Sequence, residues 1–236
     1  MSRPLRQPPV RTPGTPAVRP KEAATLIVHR GRDADIEVLM GERHRMHRFM
    51  PYHWVFPGGR IDPTDARVRT GTALRPDVAV QLQRKLTRAR AQATAIAAVR
   101  ETFEETGLVI GAPDPAPDRN VPRDWAAFFE TGMAPALDNL QYIARAVTPP
   151  IRPLRFNARF FMVHYRHATG DLSGSGELVS LKWFPIVQAR ELEMPMITRK
   201  ILFLIEDLIT NPPPRNPDRP IPYFKHMGDY HKRIDE

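Results

Sequence analysis

The sequence predicts one domain of mixed α and β structure, on three observations. Short runs rich in β-branched and aromatic residues recur along the chain. An uninterrupted stretch over 77–106 holds neither proline nor glycine and carries apolar residues at helical spacing. The two kinds of segment alternate rather than separate into halves. A chain of 236 residues can bury a substantial core, and one domain with appended segments fits better than two.

Residues 1–21 are rich in proline and arginine without apolar periodicity and read as an extended or flexible arm. The core begins with AATLIVH (23–29), a buried strand, and a turn at Gly31-Arg32-Asp33 leads to a second strand at IEVLM (36–40). Trp54-Val55-Phe56 is a short strand stopped by Pro57-Gly58-Gly59. After Pro76, Val78, Leu82, Leu86, Ala89, Ala93, Ile96, Ala97 and Phe103 follow helical spacing, as one long helix or two meeting at a bend, closed by Gly107. Residues 108–110 are expected as a strand, followed by a proline-punctuated surface loop with a short helix at 125–130. Strands follow at 142–147, closed by Thr148-Pro149-Pro150, and at 156–165. The turn Ser173-Gly174-Ser175-Gly176 enters a strand at 178–184. An amphipathic helix at 197–210 stops at Asn211 and three prolines, leaving 211–236 as a proline-rich tail outside the domain.

Apolar residues at 42% and charged residues at 26% are ordinary for a globular protein and argue against disorder or a fibrous class. The most apolar stretch, near 201–209, is interrupted by Glu206 and Asp207 and is too short to span a bilayer. A soluble protein is expected, with no membrane association. The N-terminus has no signal-type apolar run, and six prolines in its first twenty residues oppose a transit helix. The absence of cysteine removes disulfides, thiolate zinc sites and a cysteine nucleophile, and fits a cytoplasmic location. The net charge of +9 is local: residues 1–21 supply +5 and residues 66–99 supply +6 (seven cations against Asp77), so the remainder is slightly acidic. Such patches attract polyanions in general and say nothing of fold.

The chemistry sits on Arg100-Glu101-Thr102-Phe103-Glu104-Glu105-Thr106-Gly107. Glu101, Glu104 and Glu105 stand at i, i+3 and i+4 and share one helix face, where like charges repel by roughly 0.2–0.5 kcal/mol per pair. A visiting cation relieves this. Carboxylate oxygens are the hard ligands that Mg²⁺ or Mn²⁺ takes beside waters and substrate phosphates. Taken alone, four such residues could equally be a solvated acidic stretch.

Context decides between these. Gly59-x5-Asp65 followed by Arg100-Glu101-x-x-Glu104-Glu105-x-Gly107-Leu108 resembles the signature of the Nudix hydrolases, G-x5-E-x7-R-E-U-x-E-E-x-G-U with U apolar. Asp65 replaces the first glutamate, Thr102 replaces an apolar residue, and 34 residues separate Asp65 from Arg100 where the signature has seven. The enlarged box is similar to that of a subgroup resembling acyl-coenzyme A diphosphatases. Further likeness lies in Phe49-Met50-Pro51, in His53 to Gly59, and in the stretch from Thr148 to Phe161.

The resemblance implies an α+β Nudix fold over 22–210, a mixed sheet sandwiched between helices, with an insertion at about 66–99. It implies a hydrolase of phosphorus-containing acid anhydrides acting on a small nucleotide. Glu101, Glu104 and Glu105, with the Gly59 carbonyl, would hold Mg²⁺ or Mn²⁺, while Glu101, Glu104 and Arg100 form the catalytic group. Which glutamate is the base stays open. Arg100 is expected to orient a neighbouring glutamate, with stabilisation of phosphoryl charge as the rival role. Glu177 and Asp65 are candidate extra carboxylates.

Arg84, Lys85 and Arg88 are candidate grips for substrate phosphates, against the plainer reading of a solvated helix face. His44, His47 and His53 match no single helix or strand face and are expected to border the cleft or the surface; His164 and His167 read as strand-end polar groups. Coenzyme A or its acyl esters lead as substrate, with ADP-ribose, dinucleotides and other nucleotides as alternatives. A basic nucleic-acid-binding or regulatory protein with a non-catalytic domain is the reading from another class, but no helix-turn-helix, zinc or aromatic RNA-binding signature supports it. Oligomeric state is not readable, a homodimer being compatible with the sequence.

Overall fold

The computed structural model describes residues 10–12, 15–32, 35–46, 50–117, 120–174, 176–227 and 230–236, with the backbone alone described at 226–227 and 230–231. The expected positions Asp33, His47, Phe49 and Ser175 therefore lie outside the described residues, as do 1–9 and 13–14 of the arm.

Among the described residues, eleven strands and five α-helices follow in chain order: β1 (Lys21–Arg30), β2 (Glu37–Arg43), β3 (Trp54–Val55), β4 (Gly58–Arg60), α1 (Pro76–Gln83), α2 (Arg88–Thr106), β5 (Gly111–Pro113), α3 (Ala126–Phe129), β6 (Met133–Pro135), β7 (Gln141–Val147), β8 (Phe156–His164), β9 (Leu178–Pro185), α4 (Ile186–Ala189), α5 (Met196–Thr210), β10 (Pro222–Met227) and β11 (Tyr230–Asp235). The main sheet runs β11-β10-β7-β8-β1-β2-β3, with β4 on β1 and β9 on β2, while β5 and β6 form a separate pair. It is mixed: β1 and β8 run parallel from Lys21↔Phe156 to His29↔His164, and β10 is parallel to β7.

β1 is central, so its residues are buried on both faces. Leu26 and Val28 pack into one core with Ala91, Ala95, Ile96 and Val99 of α2. Ile27 packs into the other with Ile201, Leu202 and Ile205 of α5. The result is a three-layer α/β/α arrangement. The alanines on α2 let that helix lie close to the sheet.

The strand that matters for the site is again β1. Its far end pairs with β2 at His29↔Val38 and Arg30↔Glu37, but its first half pairs with β4 at Ala23↔Arg60, Ala24↔Gly59 and Thr25↔Gly58. The glycine turn thus enters the sheet between strands, beside the end of α2. Both glycines are needed for close approach: a Cβ on Gly58 would meet Ala24 O at 2.6 Å, and one on Gly59 would overlap the Glu101 carboxylate.

Of the two forms expected for the long helical stretch, the structure has two helices, because Thr87 caps a new start, accepting from Arg90 N at 3.4 Å, while Pro76 occupies the first turn of α1. The insertion packs into the domain, with Val68, Val78 and Leu82 buried in the α2-side core. Two expectations are corrected. Residues 108–110 are not a strand; Val109 makes an isolated bridge to Thr169 and β5 starts at Gly111. Residues 211–236 are no external tail: β10 joins β7 at Tyr223↔Arg145, and the Glu236 carboxylate accepts from Arg145 Nη1 at 2.9 and 3.0 Å. Prolines end α5, but the alternating residues beyond them form an edge hairpin once β7 offers its free side.

Candidate metal centre and active-site groove

α2 ends where its sequence says it should. Gly107 takes φ +76° and donates its N–H to Phe103 O, closing the last turn. That turn presents Glu101, Glu104 and Glu105 beside the glycines of β4, at one end of a single groove that Arg43, Arg60 and Glu177 also line.

Arg100 organises the carboxylates. It is 8% exposed and donates Nε to Asp65 Oδ1 at 2.9 Å, Nη2 to Asp65 Oδ2 at 3.3 Å, and Nη2 to Arg60 O at 2.9 Å. Nη1 reaches Glu101 Oε1 at 3.0 Å and Glu104 Oε2 at 3.1 Å. Burial works against its charge, but Asp65, Glu101 and Glu104 outweigh burial and raise its pKa further. A guanidinium spread over five oxygens of four residues is a positioning device.

Asp65, expected as a possible extra carboxylate, is an anchor for Arg100. It is fully buried, and besides Arg100 it accepts from Trp125 Nε1 at 3.2 Å and from Asp62 N at 2.8 Å. Its oxygens are committed, and it does not line the groove.

The glutamates sit in a field short of positive charge. Burial raises Glu101 to about 7, against the pull of Arg100, with Glu104 and Glu177 adding to the rise. Burial raises Glu105 to about 8; its counterweights are the Gly58 N–H, donating to Oε2 at 2.8 Å, and the charge of Arg43. Glu104 is raised by partial burial. Among the described residues no three acidic or histidine side chains already converge as a metal-binding group. The bonds above explain why: Glu101 and Glu104 turn to Arg100, and Glu105 turns to Gly58.

The donor set nevertheless fits a hard divalent cation. Several carboxylates share one pocket with raised proton affinity, and the missing Cβ of Gly59 leaves room for the Glu101 carboxylate against the backbone. Mg²⁺ needs only one or two protein carboxylates beside waters and phosphate oxygens.

Glu177 and Arg43 enter the groove through strand pairing. Arg43 ends β2 opposite Leu178 of β9, and His44 N donates to Glu177 O at 3.2 Å. Glu177 was among the sequence candidates, whereas Arg43 was not, since nothing local distinguishes it from other strand-end arginines. Burial lowers the pKa of Arg43, opposed by Glu105 and Glu177.

Arg84, Lys85 and Arg88, the candidate phosphate grips, do not line the groove. Arg84 Nη1 donates to Glu236 O at 2.8 Å and to Arg219 O at 3.1 Å, and Nη2 donates to Pro217 O. Lys85 Nζ stands 3.9 Å from Glu236. These cations fasten the C-terminal hairpin, because α1 packs beside β7 and its neighbours rather than over the groove. Of the histidines expected to border the cleft or the surface, the described His44 and His53 do not line the groove. His53 is buried with Nδ1 2.9 Å from Pro51 O, and His44 Nδ1 accepts from Met46 N at 3.2 Å. His164 ends β8 as expected, and Nδ1 accepts from Arg166 N at 3.0 Å.

A carboxylate-bearing helix end lies beside a glycine turn in a mixed sheet flanked by helical layers. Known proteins share this fold. The crystal structure of a Nudix hydrolase from Alicyclobacillus acidocaldarius is 30% identical, with a TM-score of 0.59, over 78% of this chain and 90% of that one. The chain belongs to the Nudix hydrolase family. Acyl-coenzyme A diphosphatase NUDT19 of Xenopus laevis is 29% identical over 40% of this chain and 36% of that protein. Putative nudix hydrolase 7 of Caenorhabditis elegans is 30% identical over 53% of this chain and 39% of that protein. The chain thus spans well under half the length of these two curated relatives. No family model matches it. Among the described residues no helix is long and apolar enough to cross a membrane.

Proposed function

We propose that this chain is a divalent-metal-dependent hydrolase of a diphosphate linkage in a nucleoside diphosphate derivative, with coenzyme A or its acyl esters as substrate. The observation that carries the reading is the gathering of Glu101, Glu104 and Glu105 beside Gly58 and Gly59, with Glu177 lining the same groove. Glu101, Glu104 and Glu105, with the Gly59 carbonyl, are the residues that would hold Mg²⁺ or Mn²⁺. A cation bound there supplies Lewis acidity toward the diphosphate and the attacking water.

The residues of the chain set the geometry. Asp65 fixes the Arg100 guanidinium, and Arg100 holds Glu101 and Glu104 at fixed rotamers on the groove wall. The Gly58 N–H holds Glu105. Glu104, whose side chain is 39% exposed, is the most open of the three where it faces water. The choice of coenzyme A esters is supported by the enlarged box and by the name of the frog relative.

The test is hydrolysis of coenzyme A, its acetyl ester, ADP-ribose and nucleoside triphosphates with Mg²⁺ or Mn²⁺, using Glu104→Gln and Glu105→Gln as controls. Coenzyme A compounds should be cleaved at the diphosphate, and each substitution should lower kcat by about 10²-fold or more. Absence of cleavage with either metal would remove the hydrolase reading, and cleavage of ADP-ribose alone would remove coenzyme A.

A further inference from the structure

The groove is much larger than a diphosphate site requires. Its volume is about 1480 Å³, above the roughly 300–1,000 Å³ of ordinary ligand pockets, and the carboxylates occupy one end. The other end runs over the α5-side face of the sheet. There Ala23, Ala158 and Ala146 stand in one row across β1, β8 and β7, each the direct register partner of the next. Three alanines abreast make a smooth floor about 10 Å wide at the usual strand spacing of about 4.8 Å. On β8 the same face carries Phe156 and Phe160 on either side of Ala158, and Leu154 and Ile197 complete the walls.

This end offers little for reading a heterocycle. Thr148 Oγ1 already accepts from Phe156 N at 3.0 Å. The cations that line this end, Lys21 and Arg152, suit a charged or phosphorylated portion of a ligand. An alanine floor between aromatic walls, continuous with the carboxylate end, suits an unbranched apolar chain attached to the same substrate.

We infer that the trough over Ala146, Ala158 and Ala23 is the specificity subsite for an extended apolar substituent, an acyl chain, on the diphosphate substrate. This rests on the hydrolase reading above and adds which residues select the acylated form. Ala158 is the determining position, since it is the middle of the row and partly open to the trough. A larger side chain there fills the space that the chain would use.

The experiment measures coenzyme A and its acetyl, butyryl, hexanoyl and octanoyl esters in two ways. Binding is followed by calorimetry in EDTA, where no turnover occurs, and hydrolysis with Mg²⁺. In the unaltered protein Kd should fall about two- to fourfold per buried methylene, the gain expected of apolar transfer. Ala158→Leu should flatten that slope below about 1.5-fold per methylene. Leu154→Asp, on the loop wall, should flatten it too and serves if the first variant fails to fold, as judged by its unfolding transition. A Kd independent of chain length in the unaltered protein, or a slope kept in a folded Ala158→Leu and in Leu154→Asp, overturns the inference. Chain-length-dependent binding without cleavage leaves the subsite standing and removes the hydrolase reading. Cleavage indifferent to chain length does the reverse.

Discussion

Replacing Asp65 with alanine tests how the carboxylate site is held. Asp65 is fully buried and Arg100 is 8% exposed, so solvent screens their pairing little. Removing one partner of such a pair leaves a buried charge short of compensation, at a cost of about 3–5 kcal/mol. Three of the four groups that accept from Arg100, namely Glu101, Glu104 and Arg60 O, would remain. For a domain of this size that loss lowers Tm by about 6–20 °C, at about 2–4 °C per kcal/mol. A second effect separates this reasoning from plain destabilisation. Freed of Asp65, the guanidinium turns its charge wholly to Glu101 and Glu104 and competes with a divalent cation, so Mg²⁺ or Mn²⁺ affinity should fall about 10- to 100-fold. Thermal unfolding in EDTA gives the first quantity, and calorimetric metal titration well below Tm gives the second. A Tm loss under about 2 °C, or a folded variant with unaltered metal affinity, refutes the account of Asp65 as the anchor of the site.

Three further outcomes follow from the same geometry. Gly59→Ala should cost less stability than Gly58→Ala, whose Cβ would meet backbone, because it displaces only the Glu101 carboxylate from Arg100, and hydrolysis should drop at least about tenfold as that carboxylate leaves its place; unfolding and turnover assays on one preparation check both. Glu101 and Glu105 bind protons more tightly in the folded chain, at about 7 and about 8, than their usual 4.5 when unfolded. Their contribution is therefore full below about pH 4.5 and is lost as pH rises to 7–8, so Mg²⁺ should raise Tm more at pH 9 than at pH 6, and equal gains at both would contradict this. His29 runs the other way: burial lowers it from 6.5 to about 4, with His164 and Arg166 assisting. It is neutral in the fold, so its contribution of about 3 kcal/mol is present above pH 6.5 and lost as pH falls toward 4. His29→Leu should flatten the acid limb of a stability–pH curve, and an unaltered limb would count against it.

Legibility differed by element. The strands at 21–30, 141–147, 156–164 and 178–185 and the helix at 196–210 lie within a few residues of their apolar runs, because each buries its pattern against a neighbour that the pattern itself demands. Residues 211–236 misled, since prolines that truly end α5 were taken to end the domain. A strand added at a sheet edge needs only alternation and an open partner, and the partner is invisible locally. The partners of Arg84 and Lys85 are hidden for a related reason: their charge is legible, but the surface they face is set by the docking of the C-terminal hairpin.

The sequence by itself determined the chemistry of the α2 end. Three glutamates on one face, an arginine one residue before them and a glycine stop follow from the 3.6-residue period and need no distant contact. Only the tertiary structure decided what surrounds them. Asp65, 35 positions away, became the anchor of Arg100, Arg43 and Glu177 met through the pairing of β2 with β9, and three alanines far apart in the chain lined up as a trough. Helical neighbours are fixed by spacing along the chain, whereas sheet neighbours are fixed by long-range register, which packing of the whole core selects.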